Sequence, residues 1–288
     1  MRSYAFFNSV CIALCVGFLL ETILVWRGSA AEAAITNLVA DVPVIEKPET
    51  ENLPPPWAGS PARGGEKQEN TAAQKQKNTE NTENTVARSE IPSRMNLAVP
   101  FTSQAPEKNW EQPWQDACEE AAVLMLDAYY KGYNLSPLFA KDEILKMVAW
   151  ENARGWQYSI EIQKVKQLMG EYFGYDSKLG NKEIKKLGEF QIIENPTVEQ
   201  LKQSIAAGHP VLVVADGKAL PNPHFRNGGP VYHALIIRGY TEDSFITNDP
   251  GTWRGENFVY KYEDLMNAIR DWNSGDVKQG RRVVLALI

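Results

Sequence analysis

The chain has 288 residues, a net charge of -6 and a pI near 5.3, so it lacks the basic balance that a nucleic-acid partner calls for. Its three cysteines, Cys11, Cys15 and Cys118, are too few and too scattered for a disulfide framework or a zinc site, and no cofactor or metal is expected.

From Met1 to Trp26 the sequence is mostly apolar, with Arg2 at its tip and small residues in "RGSAAEAA" after it. This is the pattern of an export signal, so residues 1–31 read as a signal peptide or a membrane anchor. The apolar run is nearly long enough to span a bilayer, and Arg27 directly after it favours the anchor. Residues 32–95 are rich in Pro, Gly, Asn, Thr, Gln, Glu and Lys, and "NTENTENT" is low complexity. Such a segment buries too little apolar surface to offset its ordering entropy, and it reads as a disordered tether. Together the two segments predict an extracytoplasmic protein, secreted or membrane-anchored.

Residues 96–288 carry the periodicity of a folded domain. "MNLAVPF" is a short extended run. In "EQPWQDACEEAAVLML", Asp116 and Glu119 have the spacing of a capping box, and Cys118, Ala121, Ala122, Met125, Ala128 and Tyr129 recur on one helical face. Further helices are predicted in "AKDEILKMVAW", in "SIEIQKVKQLMGEYFG" and in "TVEQLKQSIAAG", where Thr197 and Gln200 form a second capping box before a stop at Gly208. The period then changes to that of strands in "PVLVVAD", "VYHALIIRGY" and "SFITND". A helix around "YEDLMNAIRDW" and a strand "RRVVLALI" close the chain. Helices first and a mainly antiparallel sheet second define an α+β domain, with the cysteine in the helical part and the strand residues in the sheet.

A cysteine nucleophile needs a base, a group that orients the base, and donors for an oxyanion. Cys118 falls in the first turn of its helix, where free N–H groups and the positive dipole end favour a thiolate. Asp116, Glu119 and Glu120 act in the opposite sense, and a single cysteine on an apolar face also fits plain packing. Of the three histidines, His209 lies at a helix-to-strand junction and His224 in a Pro/Gly-rich loop. His233 lies inside a strand that should be buried, where its ring needs a partner. Asp249, in "TNDPG" sixteen residues on, meets His233 if the two strands pair as a hairpin, and it also fits a simple Asp-Pro-Gly turn. Gln104, Gln112 and Gln115 are candidate amide donors for the oxyanion. The loop from Asp216 to Pro230 reads as a lid or rim, and Trp110, Trp114, Trp156 and Trp253 as groove or core aromatics.

"VPFTSQAP", "DACEEAAVLML", "GGPVYHALIIRGY" and "NDPG", in this order, resemble the papain-like cysteine peptidases of the bacteriocin-processing type, the peptidase C thirty-nine-like family, in its stand-alone bacterial form. The resemblance spans about Asn96 to Ile288. It implies a papain-like fold, a peptide or protein substrate, and a site made of Cys118, His233, Asp249 and Gln104. It leaves Gln112 as the other oxyanion donor, because Gln112 has the six-residue spacing to the cysteine common in papain-type folds. Two departures stand out: Glu119 follows the cysteine where the best-studied members have Gly, and "EKNWEQPW" lengthens the interval from Gln104. The P-loop pattern G-x-x-x-x-G-K-[ST] is absent, so ATP-driven export of leader peptides is not expected. On the same fold a transferase or amidase acting on small peptides, or a catalytically silent binding module, would carry the same sequence signals.

Overall fold

Strands and helices in the computed structural model, which describes residues 44–45, 91–176 and 187–288, follow the apolar periodicity of the sequence. The apolar leader and nearly all of the tether lie outside the described residues. Among the described residues no helix is long and apolar enough to cross a membrane.

The sheet orders its strands β1 (Val44–Ile45), β2 (Met95–Leu97), β5 (Tyr232–Tyr240), β4 (Val211–Asp216), β8 (Val283–Leu287) and β3 (Phe190–Glu194). Two further strands, β6 (Ser244–Asn248) and β7 (Phe258–Lys261), branch from β5. Pairing is antiparallel apart from β1 beside β2. Every residue of β4, β5 and β8 is buried, which is why these segments read as nearly continuous apolar runs with Val, Ile and Leu. In β5 the register shifts between Ile237 and Gly239. A Cβ on Gly239 would stand 2.4 Å from the Met95 carbonyl oxygen, so only glycine lets β2 and β5 approach this closely.

On this sheet lie five α-helices among the described residues: α1 (Cys118–Lys131), α2 (Pro137–Asn152), α3 (Ile162–Gln167), α4 (Val198–Ala206) and α5 (Tyr262–Ala268). Helix α1 is buried from Cys118 to Tyr130, so it is enclosed on all sides, where the sequence pattern suggested a single apolar face. It packs on β5 and α2. Gly132 at φ 73° ends it, with its N–H bonded to the Ala128 carbonyl. Helix α4 starts with the reciprocal Thr197/Gln200 capping box that the sequence predicts.

Three local expectations change. Asp116 is not the cap of α1: it ends a 3-10 turn, Trp114–Asp116, and Ala117 occupies the cap position without a side-chain bond. The D-x-x-E spacing is correct in one dimension, but the fold turns Glu119 into the core, and its carboxyl bonds elsewhere. The segment read as one helix over 159–174 is a six-residue helix followed by a π-turn, Leu168–Tyr172. Helix α5 stops at Ala268 because Ile269 bridges to Ala215 and draws the chain back to the sheet.

Candidate active site

Three segments converge at the N-terminus of α1. The extended stretch after β2 brings Gln104, the 3-10 turn delivers Cys118, and the start of β5 brings His233. Gln104 ties the first two to the third strand's neighbour. Its backbone N–H donates to the Pro250 carbonyl at 3.0 Å, and its Nε2 donates to the carbonyls of Trp114 at 2.8 Å and Gln115 at 3.0 Å. The amide of Gln104, buried, is thus engaged at the turn that sets the position of Cys118. Gln112 is exposed and donates to Asp116 Oδ2 at 2.5 Å. Gln115 is exposed as well.

His233 and Asp249 sit on paired strands. The antiparallel register of β5 and β6, Ile236 opposite Asn248, leaves His233 and Asp249 just beyond the last rung on the same end. His233 Nε2 lies 2.7 Å from Asp249 Oδ1, and both residues are fully buried. Asp249 receives three more donors: the Gly251 N–H on Oδ1 at 2.9 Å, the Tyr260 hydroxyl on Oδ2 at 2.6 Å and the Asn222 amide on Oδ2 at 3.1 Å. Burial alone would push this carboxyl's pKa up. The His233 charge and the bonds from His233, Tyr260 and Gly251 outweigh burial and hold it below the ordinary carboxylate range. With Asp249 accepting from Nε2, the lone pair of the imidazole is on Nδ1, and Nδ1 has no hydrogen-bond partner among the described residues.

The residue after His233 links the strand to the cysteine: the Ala234 N–H is directed at the Cys118 sulfur. Cys118 is buried and Sγ donates to Glu119 Oε2 at 2.8 Å. Burial, then the charge and hydrogen bond of Glu119, raise the thiol well above its usual range, while the Ala234 N–H works against them. Glu119 Oε1 accepts the Ile160 N–H at 3.0 Å, and Ile160 is held in turn by the Tyr232 hydroxyl on its carbonyl at 3.0 Å. Beside this pair Glu120 and Glu151 share a hydrogen bond in the core between α1 and α2.

Sequence reasoning missed Asn222, Phe225, Tyr260 and the inward position of Glu119. The loop from Asp216 to Pro230, read as a lid, supplies the first two: Phe225 packs edge-on to the His233 ring at 5.2 Å, and Asn222 reaches Asp249. A Cβ on Gly251 would stand 2.8 Å from His233 Cε1, so the Asp-Pro-Gly turn makes room for the ring as well as turning the chain. Tyr260 comes from β7, "FVYK", a strand that the sequence pattern did not announce. Of the tryptophans, Trp114 is core and Trp253 is 58 % exposed with Arg254 and Lys108 over its ring. Trp110 is half-buried under Arg226. Trp156 lines an open groove of about 570 Å³ with Asp116, Asn152, Tyr158, Ser159 and Trp272. His209 meets the Tyr130 hydroxyl at the α4–β4 junction, and burial lowers its pKa. Among the described residues no group of acidic, His and Cys side chains is arranged to hold a metal ion.

No curated protein matches the chain. Among solved structures, a crystal structure of a C39-like peptidase candidate from Bacillus anthracis aligns at 16 % identity and TM-score 0.42, covering 66 % of this chain and 94 % of that one. The sequence model described as the Peptidase_C39 like family matches residues 96–275, and the chain belongs to that family.

Proposed function

We propose that the domain is a thiol peptidase in which Cys118 is the nucleophile, His233 the base and Asp249 the group that orients the base. The observation that carries this reading is the buried His233–Asp249 bond, which leaves Nδ1 without a partner on the strand whose next N–H is directed at the Cys118 sulfur. In the reaction, Nδ1 takes the proton from Sγ and the thiolate adds to the carbonyl carbon of the scissile bond. The oxyanion is held by the Cys118 N–H at the start of α1 and by one Gln104 amide hydrogen, turned away from the Gln115 carbonyl to which it donates at rest. His233 then returns its proton to the leaving amine, and the peptide bond breaks to give a thioester. Water, deprotonated at Nδ1, clears the thioester and restores the thiol. The groove beside Asp116, two residues before the nucleophile, is the approach for an extended peptide. We also place the domain outside the cytoplasm, tethered through residues 32–95 to a cleaved or retained leader. Sequencing the N-terminus of the mature protein decides between cleavage and retention.

The raised pKa of the thiol favours a second reading, a silent binding module on the same fold. Alkylation of Cys118 by iodoacetamide separates the two. A peptidase reacts fast below pH 7, loses that rate in His233→Ala, and cleaves members of a peptide library read by mass spectrometry. A rate no faster than that of a free thiol and unchanged in His233→Ala sinks the catalytic reading.

A further inference from the structure

The nucleophile has two candidate acceptors for its hydrogen, and only one of them touches it. Glu119 Oε2 stands 2.8 Å from Sγ, whereas His233 Nδ1 has no partner. Glu119 cannot swing away, since Oε1 accepts the Ile160 N–H and the carboxyl also accepts its own backbone N–H at the start of α1. Ile160 is anchored by Tyr232, the residue before His233, so the bonds run in a closed circuit from the helix of Cys118 to the strand of His233.

Resting on the reading of Cys118 as nucleophile, we propose that Glu119 is a fourth catalytic group: as a carboxylate it takes the Cys118 S–H and holds the thiol neutral, and as a carboxylic acid it donates to the thiolate. Two anions within hydrogen-bond distance in a buried site repel strongly, so a thiolate at Cys118 requires a proton on Glu119. The groups that face Glu119 are Cys118 and Glu120 on its own helix, Glu151 from α2 and Tyr232 from β5, with Asp271 beyond Tyr232. At rest all are neutral or negative: the cation of this network, Arg281, pairs with Asp271 and not with Glu119, and His233 becomes cationic only when it takes the Sγ hydrogen. Burial first, with Glu151 adding, raises its pKa to about 8 despite the donors it receives. Below that pH the acid form stands beside Cys118. The Sγ hydrogen passes to Nδ1 of His233, and the Glu119 O–H turns its hydrogen to the resulting thiolate. Above it the S–H is fixed to the carboxylate and His233 cannot collect it.

The full chain and its Glu119→Gln variant test this through the iodoacetamide alkylation rate of Cys118 between pH 5.5 and 9.5. Glutamine keeps the acceptor for Ile160 and supplies a permanent donor to sulfur. The native protein should react fastest near neutrality and slow several-fold as pH rises through about 8, the reverse of an ordinary thiol. The variant should show no such fall and should exceed the native rate at pH 9 at least tenfold. A native rate that climbs steadily to pH 9.5, or a variant that matches or lags the native protein, overturns the proposal. If Glu119→Gln does not fold, the S–H stretching band of the native protein, identified by its loss in Cys118→Ser, decides. A band that shifts to lower frequency as pH rises through about 8 supports the proposal, and one that stays at the position of an unbonded thiol refutes it. His233→Ala separates the two readings: no effect there defeats the peptidase, whereas a loss there with an unchanged Glu119→Gln profile defeats only the role of Glu119.

Discussion

Replacing Tyr260 by Phe removes one hydroxyl and leaves the rest of the Asp249 setting in place. In the native protein that hydroxyl donates to Asp249 Oδ2 at 2.6 Å from a ring that is 1 % exposed, so water cannot substitute for it. A hydrogen bond to a buried carboxylate contributes about 1.5–3 kcal/mol, and about 2 kcal/mol is a fair value where three other donors remain. Asn222 keeps Oδ2 as acceptor for one amide hydrogen and loses the Tyr260 oxygen as acceptor for the other, which adds to the cost. For a domain of this size a loss of about 2 kcal/mol lowers Tm by roughly 4–8 °C. The same loss raises the Asp249 pKa, since the hydroxyl bonds the charged carboxylate more strongly than the neutral acid. Asp249 is held below its unfolded value, so its stabilisation is present above about pH 4 and disappears as pH falls through the folded pKa. The variant, with a higher folded pKa, should therefore begin acid unfolding at higher pH than the native protein. Catalysis should fall roughly tenfold in kcat with KM unchanged, because an Oδ2 held by Asn222 alone lets the carboxylate turn away from Nε2. Thermal melts from pH 3 to 7 and steady-state rates on a cleaved peptide measure all of this. Native values for Tm, acid midpoint and kcat would refute the view that Tyr260 positions Asp249.

Gly251→Ala should be more damaging to activity than to folding: its Cβ would stand 2.8 Å from His233 Cε1 and 2.9 Å from Phe225 Cε1, and the ring is the part that can shift. A drop of tenfold or more in the alkylation rate of Cys118, with a Tm loss of only a few degrees, is the expected pair of results. Gln104→Ala removes the donor to both the Trp114 and Gln115 carbonyls, so it should lower Tm by several degrees and the alkylation rate by roughly tenfold. A rate effect with no change in Tm would mean that its amide serves only the oxyanion. The buried carboxyls make stability fall on the alkaline side. Burial raises Glu119 to about 8 and Glu151 to about 7, so the folded state keeps protons that the unfolded chain releases above a pKa near 4.3. Stability should decline from about pH 5 to pH 8, by at most about 1.4 kcal/mol per unit for each group, and Glu151→Gln should flatten the decline. A melting temperature constant over that range would contradict the assignment.

The fold was legible where burial is complete and the period unambiguous. "PVLVVAD", "VYHALIIRGY" and "SFITND" fall on β4, β5 and β6, and the Thr197/Gln200 box starts α4 as its spacing predicts. "EFQIIE" and "FVYK" are edge or branch strands with half-exposed residues, and neither gave enough contrast to be read. In the site, the hairpin that joins His233 to Asp249 follows from two adjacent strands. The other donors to Asp249 come from a loop and a strand whose three-dimensional return has no trace in local spacing. The lid reading failed to foresee Asn222 for the same reason: a Pro/Gly-rich loop announces a turn, not the direction of one side chain.

Asp249 and Glu119 show why residue type alone does not fix a role. Both are buried carboxyls within hydrogen-bond distance of a side chain of the proposed catalytic pair, Cys118 or His233. Asp249 gathers a histidine, a tyrosine hydroxyl, an asparagine amide and a backbone N–H, and its charge is favoured. Glu119 has two backbone N–H groups and the weak donor of a thiol, with Glu151 near, and its neutral form is favoured. One carboxyl is therefore suited to hold an imidazolium and the other to give a hydrogen to sulfur, a division set by how many donors the fold delivers to each. Adding a donor to Glu119, or taking one from Asp249, moves the two pKa values toward each other. Tyr260→Phe does the second, and the pH profile of Cys118 alkylation should then narrow from its acid side while its alkaline fall, governed by Glu119, stays where it was.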